Sequence, residues 1–216
     1  ALAFKPGLVM RWFRDGFCQL EKLQAEQQGT DPYVLMDQKA KEIPAGSYGM
    51  FCAFSDVMNF IEWKHASPTF TNFGMEPEKY NRYTFYRAIL ENTAMITRGH
   101  LELVREATGN MPAEIVFAGG ASKSPLWCQI LADVLGLPVK VPVVKEATAL
   151  GAAILAGYGV GLYDSIPAAA RSLVQWDKTY TPNMENHAVY EALYAPWREV
   201  YAAQLALCDR KHTRNL

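Results

Sequence analysis

Apolar side chains recur every three or four residues in five stretches of the chain, which is the spacing of amphipathic helices. These stretches span residues 7–26, 32–43, 84–108, 126–135 and 186–208. The apolar side of the first predicted helix is formed by Leu8, Phe13, Phe17, Leu20 and Leu23. Asp31 and Ser124, each followed by proline, are predicted to cap the second and fourth helices. Gly109 and Gly136 are predicted to end two helices, because glycine tolerates the left-handed backbone of a helix C-terminus.

Short runs of strand-forming residues lie between the predicted helices, at 49–54, 114–118 and 138–141. The last two alternate with helices, in the order strand, turn, helix, strand, helix. This order predicts an α/β fold with a mostly parallel sheet. The aromatic-rich and irregular segment 55–75 is predicted to be a loop.

Residues 147–163 carry no charge and are rich in alanine and glycine. A membrane span needs about 20 strongly apolar residues, so this segment is too short and too diluted to favour one. We predict instead a tightly buried helix that begins at Glu146, whose small side chains let another backbone approach closely. A glycine-rich turn would follow it.

Composition agrees with a globular protein that has a substantial core. The chain has 216 residues, half of them apolar, with 21 basic and 22 acidic residues. One domain is the default, and two small ones are possible. The near-zero net charge argues against a nucleic-acid partner and against binding to anionic membranes. The four cysteines lack metal-binding or redox spacing, which predicts reduced thiols and a cytoplasmic location.

The strand predicted at 114–118 runs into two glycines, Gly119 and Gly120, and Ser124 then begins a helix. Without Cβ atoms, such a turn lets a flat or anionic ligand reach the main chain, and the helix N-terminus offers unpaired N–H groups. A tight connection that binds no ligand has the same pattern. The turn is neither a Walker A loop nor a GxGxxG motif.

No catalytic or metal-binding set is evident elsewhere. The four histidines lack metal-ligand spacing, and no nucleophile motif is present. Asp15, Asp56, Asp133 and Asp164 are candidate bases only in principle, since no partner group lies near them in sequence. Lys123 could meet a phosphate, although a solvated lysine on a turn is the commoner arrangement.

Two long strings, 117–139 and 144–157, resemble the adenosine and second connect motifs of the FGGY carbohydrate kinases. Residues 74–91 are similar to that family's C-terminal signature, although Thr84 stands where an amide, an acid or a histidine is usual. The tail 181–191 is also similar. The resemblance implies a ribonuclease H-like lobe II of the actin/hexokinase/Hsp70 superfamily, with additional helices. It makes residues 1–216 the C-terminal, nucleotide-binding lobe of a two-lobed kinase.

Six positions match nucleotide-binding positions of the family: Gly7, Arg11, Gly119, Gly120, Ala121 and Ser124. By this resemblance, residues 119–121 would lie against the adenine and ribose, and Ser124 stands where some relatives have asparagine. Gly7 and Arg11 would lie on the other face of the adenine. Arg11 replaces a glutamine of some members and, as a planar cation, can stack on the base.

The resemblance also implies ATP and Mg²⁺ as cofactors and a small hydroxylated substrate. The family's phosphate loops and catalytic aspartate precede the helix that holds Gly7, so the substrate and metal sites are expected in a missing N-terminal lobe. The start at Ala1, inside helical sequence, supports that expectation. We therefore predict that the chain alone is inactive.

Residues 60–68 depart from the family's usual run, which suits an unusual acceptor. There are two alternatives to a kinase with an unusual acceptor. One is a pentose or polyol kinase, and the other is a stand-alone, non-catalytic nucleotide-binding module. A homodimer or a regulatory partner is left open.

Overall fold

The structure, a computed structural model, describes residues 6–54 and 67–214. In these residues the helices are α1 (Pro6–Phe17), α2 (Gln19–Gln28), α3 (Pro32–Ala40), α4 (Arg82–Thr108), α5 (Pro125–Leu135), α6 (Ala147–Gly159), α7 (Ile166–Leu173) and α8 (Met184–Asp209). The strands are β1 (Phe51–Ala53), β2 (Thr69–Thr71), β3 (Ile115–Val116), β4 (Val139–Pro142) and β5 (Trp176–Tyr180).

Helix ends that depend on local sequence are confirmed. The Asp31 carboxylate accepts from the N–H of Tyr33 at the start of α3. Ser124 caps α5 in the same way. Gly109 and Gly136 follow α4 and α5 with left-handed backbones. These devices act within one turn of the chain, which is why the sequence alone reveals them.

The single helix predicted over 7–26 is wrong, because the chain leaves the helical conformation at Cys18. The buried face also differs from the prediction. Phe13 is buried as expected, but Val9 and Met10 lie beside it in the core, whereas Leu8, Phe17, Leu20 and Leu23 are exposed. The periodicity of a single helix therefore does not continue across Cys18.

The sheet prediction is only partly right. Strands β3 and β4 are parallel, but β5 pairs with β4 in the antiparallel direction, and β1 pairs antiparallel with β2. A mostly parallel sheet is therefore wrong. Strand β2 lies in the segment predicted as loop, of which residues 55–66 fall outside the described part. Helix α7 and strand β5 were not predicted, and the largely exposed β5 lacks an apolar alternation.

Helix α4 forms the centre of the core. It packs against α1, α3, α5 and β1, and α8 packs against α5 and β1. Two aromatic residues of α8, Tyr190 and Trp197, are buried in the same core cluster as Ile89 of α4 and Phe54.

Helix α6 forms where the small residues predict it, but the predicted tight burial is wrong. Only Ile154 and Gly157 are buried, while Leu155 is 58% and Val160 is 83% exposed. Gly157 does allow a close approach, because a Cβ there would lie 2.5 Å from the ring of Tyr163. Among the described residues, no helix is both long and apolar enough to cross a membrane.

Candidate functional site

The loop after β3 is held open by glycine and by the strand beside it. Gly119 has φ +89° and ψ −174°, a conformation that side-chain-bearing residues rarely adopt. Its N–H donates to the carbonyl of Lys145 at 2.7 Å, and the N–H of Phe117 donates to the carbonyl of Lys140 at 2.9 Å. The loop is therefore anchored to the β4–α6 connection.

The space in front of the two glycines is empty of protein. A Cβ atom built at Gly119 or at Gly120 meets no other atom within 4 Å. A single 3₁₀ turn, Gly120–Lys123, follows, and it is closed by the buried Ser122 hydroxyl, which donates to the carbonyl of Gly119 at 2.8 Å. The main chain at these two glycines is therefore not covered by other protein atoms.

Ser124, at the end of the loop, joins it to a distant helix. Its Oγ accepts from the N–H of Trp127 at 3.0 Å and donates to Asp37 Oδ2 at 2.6 Å. The other oxygen of Asp37 accepts from the hydroxyl of Tyr86 at 2.7 Å. Burial raises the pKa of Asp37, although these two hydrogen bonds favour its charged form. Sequence reasoning missed Asp37 and Tyr86, because neither lies near the loop in the chain.

Gly7 and Arg11 lie on the exposed side of α1, apart in sequence from the glycine loop. Helix α1 reaches the framework of the loop through Phe13, whose ring centroid is 6.4 Å from that of Tyr86. Tyr86 thus contacts both α1 and the carboxylate that holds Ser124. The Arg11 side chain is exposed.

The basic residues next to the loop are engaged with acidic ones. Lys145 Nζ lies 2.7 Å from Asp177 Oδ2. Lys123 lies 3.8 Å from Glu146, with both side chains largely exposed, which agrees with a solvated lysine. Neither pair provides a free buried cation for a phosphate.

Two of the four candidate bases, Asp133 and Asp15, make structural hydrogen bonds in the described part of the chain. Asp133 is buried and accepts from Gln129, from Asn186 and from the N–H of Asn183. Asp15 is partly exposed, and hydrogen bonds from Arg14 and Lys22 lower its pKa to about 2. Asp164 is exposed, and Asp56 lies outside the described residues.

No cluster of side chains suited to a metal ion occurs in residues 6–54 and 67–214. In these residues, the open main chain at Gly119 and Gly120 forms a candidate cradle for a flat ligand.

The chain is similar over its whole length to proteins that share one name. The chain is 49% identical over 216 residues to "Autoinducer-2 kinase" of Yersinia enterocolitica serotype O:8 / biotype 1B, and 50% identical over 216 residues to that of Yersinia pestis strain Pestoides F. In both cases all of this chain is matched, and it spans 41% of the relative's length.

Solved structures of longer kinases match the fold. Xylulose kinase from Rhodospirillum rubrum is 28% identical with a TM-score of 0.69, over 95% of this chain and 39% of that one. Plasmodium falciparum glycerol kinase with ADP is 21% identical with a TM-score of 0.62, over 83% of this chain and 36% of that one. The predicted α/β fold of the actin/hexokinase type is thereby confirmed. Residues 4–160 match the C-terminal domain of one family, and the chain belongs to it, the FGGY family of carbohydrate kinases.

Proposed function

We propose that this chain is the adenosine-binding lobe of a kinase that transfers the γ-phosphate of ATP to autoinducer-2. The acceptor would be the primary hydroxyl of linear 4,5-dihydroxy-2,3-pentanedione. The observation that carries the proposal is the near 50% identity, over the whole chain, to proteins named autoinducer-2 kinase. The open glycine loop supports the nucleotide part, since a Cβ at Gly119 or Gly120 would meet no protein atom within 4 Å and a flat base can therefore approach this main chain.

The chain would work as one of two lobes. It spans 41% of its relatives' length, and we propose that residues 1–216 form a single domain. An apolar surface is exposed on and after α6, where Leu155, Val160 and Leu162 are each more than half exposed. An apolar cavity of about 160 Å³, lined by Val116 and Ala118 among others, lies beside it. Exposed apolar patches of this kind mark interaction surfaces, and the remaining lobe is the partner we propose.

Each site residue would have a defined task in the cleft. The backbone at residues 119–121 would contact the adenine and ribose, and Arg11 would stack on the opposite face of the base. The chain would thus fix the position of the nucleotide, and positioning is a large part of phosphoryl-transfer catalysis. Mg²⁺ would neutralise charge on the phosphates when bound. Its ligands and the base for the acceptor hydroxyl would come from the other lobe.

The substrate is tested with the full-length gene product. Purified enzyme is given ATP and either the linear dione or a panel of pentoses and polyols, and ADP release is measured. The proposal requires the dione to be the preferred acceptor. Preference for a pentose or polyol would identify another FGGY kinase instead. The chain of 216 residues, assayed alone, should release no ADP above background.

Mass spectrometry of the endogenous protein distinguishes a two-lobed kinase from a stand-alone binding module. A gene product of 24.2 kDa, the mass of this chain, would favour a stand-alone binding module. A cytoplasmic location stays a prediction.

The nucleotide cradle is tested by Gly120→Val in the same protein. No protein atom lies within 4 Å of a Cβ at this position, so the variant should fold, while its branched side chain occupies the space of the base. We expect calorimetry to detect no ATP binding. Gly16→Val is the matched control, since Gly16 is also exposed and unobstructed but lies on α1. Unchanged ATP affinity in Gly120→Val would refute the cradle.

A further inference from the structure

The Ser124 hydroxyl is committed to particular hydrogen-bonding roles. A serine hydroxyl has one proton and two lone pairs. Asp37 Oδ2 lies 2.6 Å from Ser124 Oγ, and an ionised carboxylate has no proton to give, so the serine proton must point toward Asp37. One lone pair accepts the N–H of Trp127 at 3.0 Å. What Ser124 retains for a ligand is a single lone pair, which can accept a hydrogen bond but cannot donate one.

Asp37 is held in place as the acceptor of the Ser124 hydroxyl. It belongs to α3, and its second oxygen accepts from the Tyr86 hydroxyl at 2.7 Å. Tyr86 is a buried residue of α4. The Asp37 carboxylate is therefore hydrogen-bonded on one side to a core residue and on the other to the loop that contains Ser124. Short hydrogen bonds to a partly buried carboxylate are among the stronger ones in proteins. The orientation of the Ser124 hydroxyl is therefore set by a residue 87 positions away in the chain.

We propose that Asp37 is a positioning residue that, through Ser124, makes the site select a purine with an exocyclic amino group. This inference rests on the proposed function, in which the loop of Ser124 binds the nucleoside. The 6-amino group of adenine is an N–H donor that matches the free lone pair. A base that has only C–H at this position leaves the lone pair without a partner when the cleft closes, and such mismatches are discriminated strongly.

The test compares ATP with purine riboside 5′-triphosphate, which lacks only the 6-amino group, in the full-length gene product. Calorimetry gives the two dissociation constants, and their ratio is the readout. We expect the wild type to bind ATP about tenfold more tightly, the value of one hydrogen bond. Ser124→Ala removes the acceptor and should bring the ratio near one.

Asp37→Asn is the decisive variant. Its carbonyl keeps the hydrogen bond from Tyr86, so its amide N–H faces Ser124 and frees the serine proton. The ratio should again fall to near one. Asp31→Asn is the matched control, because it makes the same change at the exposed cap of the same helix, where asparagine also caps well. A merely structural role of Asp37 would weaken both ligands equally and leave the ratio unchanged.

Each outcome bears on a different claim. If the wild type binds neither triphosphate, the proposed function fails, and this inference fails with it. If ATP binds but the wild type shows no preference, or Asp37→Asn retains the preference, this inference fails while the proposed function stands. If Asp37→Asn does not fold, Asp37→Ala takes its place, because it also removes the acceptor and so frees the serine proton.

Discussion

The buried carboxylate of Glu91 gives the sharpest stability prediction. It accepts four hydrogen bonds, from the N–H of Gly46 at 3.0 Å, Ser47 Oγ at 2.7 Å, Arg87 Nε at 2.8 Å and the Tyr190 hydroxyl at 2.8 Å. Its side chain is only 8% exposed, and that of Arg87 is 6% exposed. This cluster joins α4 to α8 and to the turn before β1.

Glu91→Gln keeps the size of the side chain and removes its charge. Arg87 is then left buried without a counter-ion, and breaking a buried pair in this way costs about 3–5 kcal/mol. Since domains of this size are stable by about 5–15 kcal/mol, the loss is a large fraction of the total. Tyr190 lies beyond residue 160, where the family match ends, so the result also reports whether α8 unfolds together with the matched domain.

Urea unfolding followed by tryptophan fluorescence measures the effect, with the m-value checked for constancy. Glu42→Gln is the matched control, because Glu42 pairs with Lys39 at 3.8 Å on the surface, where an ion pair contributes about 1 kcal/mol at most. A loss in Glu91→Gln as small as that in Glu42→Gln would refute the reasoning. Separate transitions for α8 and the rest would refute the single domain.

Two further predictions concern other buried contacts. Gly136→Ala should destabilise the protein by more than about 1 kcal/mol, because φ is +63° and the new Cβ would lie 2.7 Å from the His187 ring. Gly29→Ala, with the same φ and open space, should cost less in the same urea assay; equal losses would contradict the predicted clash. Burial opposes the charge of Glu21, but hydrogen bonds, first that from Tyr83, outweigh it and lower its pKa below 4.5. Its stabilising effect is thus fully present above the pKa of the unfolded state and is lost as the pH falls through the lower pKa of the folded state. Glu21→Gln should therefore flatten the fall in urea midpoint between about pH 6 and pH 3; an unchanged slope would contradict this.

Much of the fold follows from features that act within a few residues. The helix starts at Asp31 and Ser124 and the ends at Gly109 and Gly136 are visible in sequence, because each cap is completed within one turn. The glycine loop at 119–120 is visible for the same reason, because two adjacent glycines after a strand indicate a tight turn with an accessible main chain.

The failed predictions share a different cause. The break at Cys18 and the exposed face of α6 depend on which other surface covers a helix, and periodicity does not contain that information. An apolar helix has the same sequence pattern whether its partner is present or lies in another part of a longer protein. For this reason α6 was expected to be buried, whereas most of it is exposed in this chain.

The sequence by itself therefore determined the helices, their caps and the open glycine loop, and its motifs indicated the family. Only the tertiary structure placed Asp37 and Tyr86 behind Ser124, and so decided where the proton of that serine points. The physical reason is distance along the chain. A cap or a turn is completed by near neighbours, but a hydrogen bond between α3 and the α5 cap exists only once the core has brought the two helices together.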